Sequence, residues 1–120
     1  MPEVQLFGYA KSKTTRKAQR FFKERRVPFH YVDLNVRAPS PGELRRWVQR
    51  FGVAGILDPD SRSYVDQGLR YVSASDDDWI DRIIRDPTVL RLPLARYGTD
   101  LAVGDDPQAW QRFLDATRGP

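Results

Sequence analysis

Apolar positions along this 120-residue chain fall into runs whose spacing names the elements they should form. Val4 to Gly8 is a short apolar run closed by glycine, with the length and residue types of a buried strand. After the loop Tyr9-Ala10-Lys11-Ser12, the residues Ala18, Phe21, Phe22 and Val27 recur at helical spacing with basic residues opposite, which predicts an amphipathic helix ended by Pro28. Ser12 or Thr14 can cap it, since a hydroxyl oxygen there accepts a hydrogen bond from an N–H of the first turn. Phe29 to Leu34 alternates like a strand with one face more buried than the other. Strand, helix and strand within about 30 residues form a βαβ unit, whose crossover is right-handed and whose two strands are parallel.

The remaining pattern is mostly helical. Ser40-Pro41-Gly42-Glu43 is a capping box, opening a helix through Leu44, Trp47, Val48 and Phe51 to a stop at Gly52. Val53 to Ser63 reads as loop and Tyr64 to Leu69 as a short helix. Ser75 caps a further helix whose apolar stripe is Trp79, Ile80, Ile83 and Ile84. Val89 to Ala95 and Leu101 to Val103 predict an antiparallel hairpin around Tyr97-Gly98-Thr99-Asp100. Pro93 cannot donate to a ladder, so it belongs at an edge, a bulge or the start of its strand, where a cis peptide is one option. Asp106-Pro107 opens a last helix with Ala109, Trp110, Phe113 and Leu114 inward. Trp47, Trp79 and Trp110 each lie on an apolar stripe and are expected in the core.

A chain of this length with 40% hydrophobic residues can build one modest core, so a single domain over residues 1–120 is expected. No apolar run approaches the roughly 20 residues that cross a bilayer, and Met-Pro-Glu-Val does not begin a signal peptide, so the cytoplasm is expected and a membrane is not. The chain has no cysteine and one histidine, which excludes disulfides, thiol chemistry, thiolate zinc sites and His-rich metal sites; no metal or cofactor is expected. The net charge of +4 is polarised. Lys11, Lys13, Arg16, Lys17, Arg20, Lys23, Arg25 and Arg26 crowd the first helical segment, whereas aspartates dominate the middle of the chain. A solvated helix face with intrachain pairing is the simplest account. Asp76, Asp77 and Asp78, consecutive at a helix start, point in different directions and complement the dipole rather than hold a cation.

Several strings sharpen the picture. Gly8-Tyr9-Ala10-Lys11-Ser12-Lys13-Thr14-Thr15-Arg16-Lys17-Ala18 resembles the strand end, loop and helix head of the ArsC/Spx (arsenate reductase-like) family. Val89-Leu90-Arg91-Leu92-Pro93-Leu94 is similar to that family's apolar pair followed by Arg-Pro and an aliphatic residue, and Val103-Gly104 through Trp110 and Phe113 to its closing strand end and helix. The resemblance spans roughly residues 4 to 115. It implies an α/β, thioredoxin-like fold with a mixed four-stranded sheet and a helical insertion, and it places Pro93, as a cis proline, beside Ser12.

The departures concern chemistry. The family's nucleophilic cysteine falls on Ser12, and the second cysteine of Spx-like members falls on Thr15. A serine hydroxyl stays protonated at neutral pH and forms no mixed disulfide, so thiol reduction is lost. The arginine before the family's proline falls on Leu92, with Arg91 displaced by one residue, which on a strand points to the other face. Another family arginine falls near Asp60, with Arg62 close by. Ser12 as a serine nucleophile would need a base, and the only histidine, His30, lies mid-strand. No catalytic residue is expected; Ser12 and Thr15 mark a degenerate active-site position, and Lys11, Ser12, Lys13 and Arg16 could hold a small oxyanion. The expected function is binding of a protein partner or such an anion. Alternatives are an Spx-like transcriptional regulator contacting RNA polymerase and an arsenate reductase-like enzyme using glutathione. Nucleic acid is not expected, because aromatic side chains are not interleaved with the basic face.

Overall fold

A computed structural model describes residues 3–119. In chain order the elements are β1 (Val4–Gly8), α1 (Lys13–Glu24), β2 (Phe29–Asp33), α2 (Pro41–Ile56), α3 (Arg62–Asp66), α4 (Asp76–Arg85), β3 (Leu94–Tyr97), β4 (Asp100–Val103) and α5 (Pro107–Arg118). They fall into two compact units. One comprises the chain up to Arg37 together with Leu92 onward, the other Ala38–Arg91.

The first unit is built on a mixed sheet of order β2-β1-β3-β4. β1 runs parallel to β2, with Val4 opposite Phe29 and Gly8 opposite Asp33, and antiparallel to β3, with Leu6 opposite Ala95. β3 and β4 form the antiparallel hairpin, Tyr97 facing Asp100 across the turn. The alternation of β1 sends Val4 and Leu6 into a core with Ala18 and Phe22 of α1 and Trp110, Phe113 and Leu114 of α5. Phe22 and Trp110 are fully buried there, and a buried phenylalanine side chain contributes about 2–3 kcal/mol of transfer free energy. Among the described residues no helix is long and apolar enough to cross a membrane.

Local chemistry sets the helix ends. Ser12 caps α1, Ser40 forms the full capping box with Glu43, Ser75 caps α4 and Asp106 caps α5. At the far end of α1, Val27 N–H donates to Phe22 O at 2.9 Å and Arg26 N–H to Lys23 O at 3.2 Å. This is a Schellman closure, with Val27 buried beyond it. It requires a left-handed residue, and here that residue is Arg26 at φ 59° rather than glycine, at a cost of about 1 kcal/mol.

Three sequence expectations need correction. Gly52 does break α2, at φ 75° and ψ 162°, but helical geometry resumes after it up to Ile56, so part of the expected loop is helix. The short helix begins at Arg62, capped by the Ser61 hydroxyl, rather than at Tyr64. The third strand begins at Leu94, not Val89. Residues Pro87–Val89 form a 3-10 turn capped by Asp86, and Leu90 bridges Leu57, so this segment is tied up in the second unit before the sheet resumes beyond Pro93.

Asp86 anchors that turn. Partial burial pushes its pKa up, but hydrogen bonds involving Thr88, Ser63 and Gln67 outweigh this and hold the carboxyl below the ordinary range. A depressed carboxylate contributes stability that is present above its unfolded pKa of about 3.9 and lost as pH falls through the folded value. Urea denaturation from pH 7 down to pH 3 should therefore show an acid-side loss that is shallower in Asp86→Asn. Superimposable pH profiles for the two proteins would refute it.

Candidate functional site

The end of β1 and the head of α1 meet in a close contact between Gly8 and Thr15. A Cβ on Gly8 would lie 2.3 Å from Thr15 Oγ1 and 2.6 Å from Thr15 Cγ2. Glycine is what allows the first turn of α1 to sit against the strand end. Thr15 is fully buried, and its hydroxyl has no hydrogen-bond partner among the described residues. The Gly8 carbonyl is held by Leu34 N–H at 3.0 Å and by the Tyr31 phenol at 3.3 Å. Burial, reinforced by the charge of Asp33, raises the Tyr31 pKa, so the phenol keeps its proton as donor.

Ser12 lies at the exit of the intervening turn. Its N–H donates to Tyr9 O at 3.0 Å, its carbonyl accepts from Arg16 N–H at 3.0 Å, and its Oγ accepts from Thr15 N–H at 3.2 Å. The other neighbour of Oγ is Thr14 Oγ1, at 3.2 Å. Neither contact is a general base. His30, on the edge strand β2, is exposed. The arrangement is a helix cap and lacks the parts of a serine nucleophile.

Thr14 does something its sequence position did not announce. Its hydroxyl donates to Leu92 O, the carbonyl immediately before Pro93. The Leu92–Pro93 peptide bond is cis, and Pro93 O accepts from Gly104 N–H at 2.9 Å. One short run of hydrogen bonds thus joins the head of α1 to the entry of β3 and the exit of β4. Thr14 read from sequence as an alternative cap, and nothing in its local pattern named a partner 78 residues away.

The cations of this region are dispersed. Lys11, Lys13 and Arg16 are exposed, and Arg16 bends back to donate to Ala10 O at 2.6 Å. Lys17 pairs with Asp105 at 2.9 Å. Arg91 and Arg62 belong to the other unit, where Arg91 Nε donates to Leu57 O at 2.7 Å and Arg62 lies 3.5 Å from Asp66. Arg91 therefore precedes the strand rather than pointing from one of its faces, which corrects the expectation for it. Among the described residues no group of three or more histidine, cysteine or acidic side chains could hold a metal ion.

A strand end, a helix head at Ser12 and a cis proline linked to it through Thr14 can be compared with known proteins. The ArsC family model matches residues 7–113. The chain belongs to the ArsC family. Its fold is that of the YffB protein, with a TM-score of 0.84 at 20% identity over 93% of this chain and 99% of that one. It is also that of an arsenate reductase from Vibrio cholerae, with a TM-score of 0.79 at 18% identity over 93% and 98%. No curated protein matches the chain. Within this ArsC-family fold, Ser12 occupies the helix head and the chain has no cysteine.

The Gly8–Thr15 contact can be measured. Gly8→Ala should lower stability by about 1–3 kcal/mol through overpacking, whereas Thr15→Val, which removes only an unpaired buried hydroxyl, should leave it unchanged or raise it by up to about 1 kcal/mol. Urea midpoints at neutral pH decide both. A Gly8→Ala protein as stable as wild type would mean the two elements are not in close contact.

Proposed function

We propose that this ArsC-family protein acts by binding and not by thiol chemistry, through the surface where the head of α1 stands beside the cis proline. The observation that supports this most is Ser12 engaged as a helix cap in a chain without cysteine, on a scaffold whose Thr14-to-Leu92 link still holds the proline loop beside it. A protein segment is the leading occupant. The groups around Ser12 offer position and hydrogen bonds but no electron donor, and a regulatory contact with a larger assembly such as RNA polymerase is one form this could take.

A small oxyanion is the second reading, and one feature favours it. The first N–H groups of α1 have no acceptor within the helix, and Lys11 and Lys13 beside them are exposed. Arg16 would have to give up its bond to Ala10 O to join them.

Two measurements test the proposal together. Arsenate turnover with glutathione and glutaredoxin should give no rate above buffer, and a measurable rate would overturn the loss of redox activity. Ser12→Cys should yield a thiol whose pKa lies below the ordinary value of about 8.5, because a helix N-terminus stabilises the thiolate. It is read from the pH dependence of alkylation. A thiol titrating at or above the ordinary value would show that the helix head no longer provides the environment this reading assigns to it.

A further inference from the structure

The end of α1 away from Ser12 opens on a cleft of about 350 Å³ in the first unit. At 1.5 Å of rise per residue it lies about 20 Å along the helix from Ser12, so it is separate from the surface described above. Arg25, Arg26 and Arg118 line it, with Tyr97 and Thr117 as neutral polar neighbours and Glu3 as its one carboxylate. Among the described residues Glu3 forms no ion pair with these arginines, so one carboxylate faces three guanidinium groups across the cleft. Arg25 is held in place, with its guanidinium carbon 3.8 Å from the centre of the Phe21 ring and one nitrogen donating to Phe21 O at 3.0 Å. The guanidinium groups of Arg26 and Arg118 have no hydrogen-bond or ion-pair partner among the described residues.

Arg26 is the informative residue. It fills the left-handed position of the α1 closure, where glycine would be free of strain. Compensation of the helix dipole does not call for it, because Lys23 stands in the last turn and Arg25 at the cap. A side chain kept at a strained position, unpaired, and lining a cleft with two other arginines points to a ligand. We propose that this cleft binds a multiply charged phosphate-type oxyanion, gripped by Arg26 and Arg118 with Arg25 at its edge. Guanidinium groups match the geometry of phosphate oxygens with paired donors, which a lysine cluster would not. The volume suits a small ligand, given that such sites begin at about 300 Å³.

Pyrophosphate titrated calorimetrically into the full chain at constant ionic strength tests this. Saturable binding is expected, weakened about tenfold in Arg26→Gly and in Arg118→Ala, as for loss of a charge-assisted hydrogen bond. Arg26→Gly should melt no lower than wild type, since glycine relieves the backbone, so weaker binding there would not reflect misfolding. Lys11→Ala and Lys13→Ala should bind as wild type. Absence of saturable binding, wild-type affinity in both arginine variants, or a loss confined to the two lysine variants would each overturn the proposal. The last result would place the anion at the helix head instead.

Discussion

Thr15 fills the space that a side chain on Gly8 would need, and that contact fixes where α1 begins relative to the sheet. β1 is central, parallel to β2 on one side and antiparallel to β3 on the other, so its C-terminal end is a fixed point. With the first turn of the helix pressed against that end, the Ser12 cap and the Thr14 hydroxyl have little freedom of position. The bond from Thr14 to Leu92 O then carries the same constraint to the entry of β3. A bulkier residue at Gly8 would disturb all three together.

The chemistry of this region follows from which atoms the constraint brings together. A helix N-terminus favours negative charge, and in a thiol protein that preference lowers the pKa of a cysteine placed there. Here the same position holds a hydroxyl that accepts from Thr15 N–H, so the local field is spent on a cap. The family match and the folds of YffB and the Vibrio cholerae arsenate reductase describe a scaffold. The side chains at its helix head are a hydroxyl cap and exposed lysines, with no thiol among them.

Charge on α1 is distributed by the same logic. Several of its many cations have partners within the chain: Lys17 has Asp105, Arg16 has Ala10 O, and Arg25 has Phe21. The polarised charge that stands out in the sequence is thus partly internal. Lys11 and Lys13 stay exposed at the head of the helix, and beyond its C-terminal end Arg26, with a strained backbone, lines a cleft with Arg118 of α5.

Much of the architecture is legible in the residues because its causes are local. Hydroxyl and carboxylate caps at Ser12, Ser40, Ser75 and Asp106, and the alternation or helical spacing of apolar side chains, act within a few positions of themselves. The late start of β3 was not legible, since Leu90 and Arg91 are held by Leu57 and Ile56, more than 30 positions earlier. The sequence by itself determined the order of elements, their caps, the resemblance to the ArsC family and the absence of a thiol. Only the tertiary structure decided that Thr14 would bond Leu92 O, that Thr15 would be buried against Gly8, and that Arg25, Arg26 and Arg118 would share one cleft. The first and last of these join residues remote in sequence, the second sets a strand end against the helix that follows it, and their geometry exists only once the sheet and its two covering helices have packed.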